Sequence, residues 1–423
     1  MLDLAAAFLA LTTFFTYINY RFIKLPPTIG VMLTALVLSM IALGCSALGY
    51  PVLETEMQQI VSRIDFSTVL MTWFLPALLF AGALHVNLDD LRSYKWPIGI
   101  LATGGVLIST LVVAWLAFNI FELFGWHIGF IYCLLFGALI SPTDPIAAMG
   151  ILKTSGAPKP LQTTIVGESL FNDGTAVVLF SILLGVLSLG QTPSLADFGL
   201  LFAKEAVGGI VLGIVLGFGV FYLLSKVDEH QPSVMLTLAL VFGGSALATH
   251  LHVSAPIVMA VAGLIIGNQG RKKAMSDSTR RYVDGFWELI DEILNALLFA
   301  LIGLELLILP FGWLHMVAAM LLGGAVLLSR VLTVAPMIVT LRKLRGISDR
   351  QITRGTIRIL SWGGLRGGVS VALALSLPQG EERDLLLSLT YIVVLVSILF
   401  QGLTVGPLVR SLHGTQPATA DEH

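Results

Sequence analysis

Apolar residues run in long blocks along this chain, and short clusters of charge, proline and glycine separate them. A transmembrane helix needs about 20 such residues in a row. Bounding each block at its breakers predicts spans near 4–20, 28–48, 67–88, 97–121, 127–150, 162–189, 200–225, 233–250, 254–268, 285–308, 313–341, 354–377 and 386–411. The pattern therefore predicts an all-α polytopic membrane protein with thirteen transmembrane helices. Its ninth span is short, and residues 49–66 are expected to hold an interfacial helix.

Composition sharpens this reading. Of 423 residues 56% are hydrophobic and only 12% charged, whereas soluble domains carry about a quarter charged residues. Almost nothing is left for a soluble domain, so function has to lie within the bilayer. The 42 glycines fit close packing of membrane helices. A net charge of -2 gives no electrostatic footprint for a nucleic-acid partner. Cys45 and Cys133 fall in apolar runs and read as small hydrophobes, and no His-Glu-x-x-His or Cys-rich spacing points to a catalytic or structural metal. The first residues lack a basic n-region, so the first span is expected to be retained rather than cleaved.

Charge also predicts orientation. Eighteen lysines and arginines fall in one set of alternate loops, among them Arg271, Lys272, Lys273, Arg280 and Arg281, while Arg63, Lys204 and Arg383 occupy the other. Basic residues stay cytoplasmic. With an odd number of helices, the N-terminus lies outside and the C-terminus in the cytoplasm, followed by a short tail.

The chemistry concentrates in three spans. In the fifth, Ser141-Pro142-Thr143-Asp144-Pro145 carries two prolines that remove amide donors and force a break. Asp144 can cap the second half-helix, or can join the free Thr143 carbonyl in facing a cation path. The twelfth contains Ser361-Trp362-Gly363-Gly364-Leu365-Arg366-Gly367-Gly368, a second break holding a cation. Seven helices apart, the two broken spans run in opposite directions, as inverted repeats with crossing broken helices require. The sixth carries Glu168-Ser169-Leu170-Phe171-Asn172-Asp173-Gly174. At 1.5 Å per residue, Asp173 lies roughly 16 Å into a ~30 Å hydrocarbon core. Ser169 and Asp173 share one face; Glu168 and Asn172 share the next. Arg330, deep in the eleventh span, is the expected counter-charge for Glu168.

Together these three motifs resemble the sodium/proton exchanger branch of the cation:proton antiporters over nearly the whole chain. The resemblance implies that Asp173 binds the transported cation (Na+, transiently) or the proton, and that Asn172 orients it. Thr143, Asp144 and Ser169 then contribute to the cation site, Glu168 pairs with Arg330, and Arg366 supports the broken helix. It further implies a homodimer in a bacterial inner membrane that moves Na+ and H+ without a cofactor. Residues 1–96 (helices 1–3) and 233–312 (helices 8–10) would form the dimerisation scaffold. Residues 97–189 (helices 4–6) and 313–411 (helices 11–13) would form the mobile core, with helix 7 in 190–232 as linker and 412–423 as a cytoplasmic tail. One departure is Ala81, which stands where many relatives have a coordinating Glu. Glu305, near the outer end of the tenth span, fits either an interfacial acid reaching headgroup water or a role in an outer funnel.

A buried carboxylate can hold a proton or a hard cation on the same oxygens, so the leading function is antiport of Na+, or of Li+ or K+, against H+. One obvious proton carrier argues for electroneutral exchange. Proton-coupled solute symport is the alternative, although 167–184 offers few aromatic or polar groups for an organic solute. Intramembrane aspartyl proteolysis by Asp144 and Asp173 leaves the repeat unexplained.

Overall fold

The computed structural model describes every residue except 1, 51, 53, 54, 56, 59–67, 145–148, 150, 151, 153, 154, 190–193, 271–273, 308–311, 346–354 and 414–423. Among the described residues, regular structure is helical throughout. The helices are α1 (Leu2–Ile18), α2 (Pro27–Ala47), α3 (Val69–Leu84), α4 (Lys95–Leu123), α5 (Phe130–Ile140), α6 (Lys159–Leu189) and α7 (Leu195–Leu224). They continue as α8 (His230–His250), α9 (Ala255–Gly270), α10 (Asp277–Leu304), α11 (Trp313–Arg345), α12 (Thr356–Trp362), α13 (Gly368–Leu375) and α14 (Glu381–His413). Seven of them, α2, α4, α6, α7, α8, α11 and α14, are long and apolar enough to cross a membrane. Shorter apolar helices α3, α5 and α9 lie among them. Most of the stretch expected to hold an interfacial helix lies outside the described residues.

Helix starts follow local chemistry. Ser254 and Ser276 cap α9 and α10 by accepting from the amides of Ile257 and Thr279, and Pro256 sits in the first turn of α9, where a missing N–H costs nothing. The last helix begins at Glu381, five residues before the expected 386, because Glu381, Glu382 and Asp384 favour the positive end of its dipole. Cys133 is buried as expected and Cys45 half-buried.

Packing places α4, α5, α6, α11, α13 and α14 in one neighbourhood, with α4 against α5 and α11, and α14 against α11 and α13. A second neighbourhood joins α1, α2, α3, α8, α9 and α10. Helix α7 packs chiefly on α8 and α9. Close approach depends on glycine where backbones touch: a Cβ on Gly137 of α5 would lie 2.3 Å from the Thr110 carbonyl oxygen of α4. Only a residue without a side chain fits there.

Candidate functional site

Two interrupted helices meet in the first neighbourhood. Helix α5 stops at Ile140, and Ser141 to Asp144 leave the helical path. Residues 145–148 lie outside the described residues, and with them the expected cap of a second half-helix by Asp144. Toward the C-terminus, α12 stops at Trp362 and α13 begins at Gly368, so the glycine-rich stretch between them is unwound. The Asp144 amide donates to the Leu365 carbonyl at 2.7 Å, which joins one break to the other.

Breaking a helix strands carbonyls that have to be satisfied in a low-dielectric interior. Arg366, 2% exposed, supplies the donors: its guanidinium bonds the carbonyls of Ser141 at 2.5 Å and Pro142 at 3.1 Å. Its own amide donates to Ser397 Oγ at 3.0 Å, within a π-helical turn of α14. In the same turn, Gln401 Nε2 donates to the carbonyl of Trp362 at 3.1 Å, satisfying the end of α12.

Helix α6 presents its polar face to this crossing. Asn172 grips Thr143 twice, donating to Thr143 Oγ1 at 2.8 Å and accepting from the Thr143 amide at 3.3 Å. Ser169 Oγ lies 2.8 Å from Thr143 Oγ1. Asn172 therefore orients the broken segment as well as standing next to Asp173, a contact between distant spans that sequence spacing does not reveal. A Cβ on Gly367 would fall 2.4 Å from Asp144 Oδ2, so the absent side chain leaves room for that carboxylate.

Asp173 and Asp144 line one cavity of about 70 Å³, enough for a cation with a few waters. Thr143, Gly367 and Ser370 complete its polar side; Leu75, Leu78, Leu79 and Gly82 of α3 form the apolar wall. Asp173 is 5% exposed, and among the described residues no hydrogen-bond donor reaches its carboxylate. Ala81 is buried beside this wall, and α3 offers the cavity no carboxylate.

Glu168, on the face of α6 that also carries Asn172, is brought together with Arg330. Both guanidinium nitrogens engage the carboxylate, Nη1 on Oε1 and Nη2 on Oε2, the latter at 2.8 Å. Arg330 Nε also donates to the Leu360 carbonyl at 3.3 Å near the end of α12. Every strong donor of the pair is thus used internally.

Two site residues escape the sequence reading. Asn295 of α10 lines the cavity, and Asp291, one turn earlier, feels the Asp144 carboxylate. Their signal was the spacing of Glu288, Asp291 and Asn295 on one face of an otherwise apolar segment. Of the two readings of Glu305, the acid reaching headgroup water does not fit its burial: it is 5% exposed in a tight turn, Glu305–Leu307, after α10, where the charge of Arg383 of α14 acts on it.

Residues 9–411 match the transmembrane sodium/hydrogen exchanger family. The chain is 72% identical to the Na(+)/H(+) antiporter NhaP of Pseudomonas aeruginosa over 422 residues, covering 100% of this chain and 99% of that protein. It is 35% identical to the Na(+)/H(+) antiporter NhaH of Halobacillus dabanensis, covering 93% of each. In fold it is similar to the sodium proton antiporter MjNhaP1 from Methanocaldococcus jannaschii at pH 8, with a TM-score of 0.74 and 19% identity over 97% of this chain and 98% of that one.

Proposed function

Because this chain belongs to the sodium/hydrogen exchanger family, we propose that it is an integral membrane antiporter exchanging Na+ for H+, with Asp173 as the carrier of both. The observation that carries the assignment is a buried carboxylate, free of hydrogen-bond donors among the described residues, in a cavity bounded by two unwound helices. A hard cation prefers oxygen ligands. Asp173, Asp144, Thr143 and Ser169 supply them, and a proton on Asp173 removes the site's main anionic ligand. Competition becomes exchange when the loaded carboxylate, with either ion, can face each side in turn.

Charge accounting supports one proton for one cation. Glu168 and Arg330 cancel within their pair. Asp144 and Arg366 contribute opposite charges at the crossing, so that of these five groups Asp173 is left as the net negative charge that a single H+ or a single Na+ neutralises. Exchange is then electroneutral. Li+ and K+ present the same charge and are the further candidate substrates.

The wider arrangement we propose has thirteen membrane-crossing segments, with α12 and α13 as two halves of one, the N-terminus outside and the C-terminus in the cytoplasm. Helices α4–α6 and α11–α14 carry the site and move as the core, while α1–α3 and α8–α10 form the scaffold of a homodimer in the bacterial inner membrane; α7 links them. Supporting this division, α4, α5, α6, α11, α13 and α14 pack as one neighbourhood, and α1, α2, α3, α8, α9 and α10 as another. Solute symport lacks support: a cavity of about 70 Å³ walled by leucines offers an organic solute little room or recognition. The family consists of transporters, and the chain is no enzyme.

Proteoliposomes carrying the full chain and an internal pH dye test this reading. Added Na+ should drive proton movement, with an apparent affinity that weakens as pH falls, because protons and cations compete for Asp173. An affinity independent of pH, or no Na+-driven flux, would contradict it; parallel assays with Li+ and K+ rank the substrates.

A further inference from the structure

Helix α10 carries a line of acidic and amide side chains that the exchange mechanism leaves unused. Glu288 and Glu292 are exposed, Asp291 is half-buried and Asn295 is 4% exposed. Offsets of three and four residues put Glu288, Asp291, Glu292 and Asn295 along one side of the helix, with the two exposed glutamates at its outer part and Asn295 buried at its inner end.

The inner two residues have unspent acceptors. Asn295 Nδ2 donates to the backbone carbonyl of Asp291 at 2.7 Å, which fixes its amide. Its Oδ1 is buried with no hydrogen-bond partner among the described residues, and Asn295 lines the cavity that holds Asp144 and Asp173. Asp291 Oδ1 is likewise buried and unpartnered among the described residues, while its carboxylate interacts with Asn295 on one side and with the charge of Asp144 on the other. Buried acceptors without donors are costly and uncommon. Two of them one helical turn apart, leading into an anionic cavity, offer just what a partly dehydrated cation lacks.

We propose that Asp291 Oδ1 and Asn295 Oδ1 form a second, transient cation site, an entry station that passes a monovalent cation between the water at the start of α10 and the Asp144–Asp173 cavity. Resting on the antiport reading, this assigns α10 a part in ion capture besides its packing against α2 and α3. The exposed Glu288 and Glu292 concentrate cations at the mouth, an effect that salt screens. Asp291 strips part of the hydration shell, and Asn295 offers a neutral oxygen that holds the ion too weakly to trap it.

Na+-driven proton flux in proteoliposomes, recorded with melting temperatures for wild type, Asp291→Asn, Asp291→Glu and Asn295→Leu, tests the station. Loss of an entry site without damage to the carrier should raise the half-saturating Na+ concentration about fivefold in Asp291→Asn and Asn295→Leu while the maximal rate stays within about twofold. Asp291→Glu should restore the wild-type value, and the Asn variant should melt as wild type does. An unchanged half-saturating concentration in Asp291→Asn overturns the station and leaves the antiport reading standing, as does a joint loss of rate and melting temperature that Glu fails to restore, which marks a structural role. Absence of Na+-driven flux in the wild type removes both readings.

Discussion

Glu168 and Asp173 stand five residues apart on α6, both almost fully buried, and the protein uses them in opposite ways. About 7.5 Å of helix separates them. Glu168 has both oxygens occupied by Arg330, whose Nε is occupied in turn by a carbonyl. Asp173 has no donor among the described residues and faces a cavity. A closed pair has no oxygen to spare for another ligand, whereas an open carboxylate can exchange what it binds. Burial of an acid in a membrane helix therefore does not by itself identify a carrier. On the proposed reading, the state of its hydrogen bonds does.

Breaking the open side should have the largest effect. Asp173→Asn deletes the exchangeable group with little change of volume, so Na+-driven proton movement should vanish while folded protein persists in the membrane. Retention of more than about a tenth of wild-type exchange, roughly 1.4 kcal/mol or less of lost driving interaction, would contradict the carrier assignment.

Breaking the closed side should act on stability instead. Glu168→Gln leaves Arg330 buried and uncompensated, a cost of about 3–5 kcal/mol by analogy with other buried pairs. Denaturation in detergent should show this loss, larger than any change in the Na+ affinity of surviving exchange. Wild-type melting combined with lost cation binding would instead make Glu168 a ligand.

The crossing itself sharpens the comparison. Arg366→Lys keeps the charge but replaces the guanidinium, whose Nη1 bonds the carbonyls of both Ser141 and Pro142, with a shorter side chain, with an expected stability loss of about 1.5–3 kcal/mol for a charged hydrogen bond. Gly367→Ala acts on Asp144 directly, because its new methyl would lie 2.4 Å from Oδ2 and 2.7 Å from Cβ of that residue and Asp144 would have to shift. Apparent Na+ affinity should fall about tenfold, or ~1.4 kcal/mol. Unaltered affinity would mean that Asp144 lies outside the cation path.

Much of this arrangement is legible in the chain. Prolines 142 and 145 and the glycines around Arg366 announce the breaks, because missing donors and missing side chains act locally. The depth of Asp173 follows from helical rise alone. What sequence does not carry is partnership across space. Asn172 holding Thr143, Arg366 reaching two carbonyls of the other break and the π-turn at Ser397 arise from packing between distant spans. Asp291 and Asn295 were legible as residues but not as part of the site, because a polar stripe on α10 looks the same whether it faces water or a cavity. Glu305 shows the same limit: near a predicted span end its sequence leaves two readings open, and only the final tight turn after α10 shows it buried.

In the proposed mechanism one open carboxylate carries one proton or one monovalent cation. Its most direct test clamps the voltage of proteoliposomes with valinomycin and potassium and follows Na+ accumulation across an imposed membrane potential at several pH values. An exchange that moves no net charge should ignore the potential, so Na+ should accumulate only in response to a pH gradient, with a half-saturating concentration that rises as pH falls. Accumulation of Na+ driven by the potential alone would require a second carried proton, and Asp144, which shares the cavity with Asp173, would be its first candidate.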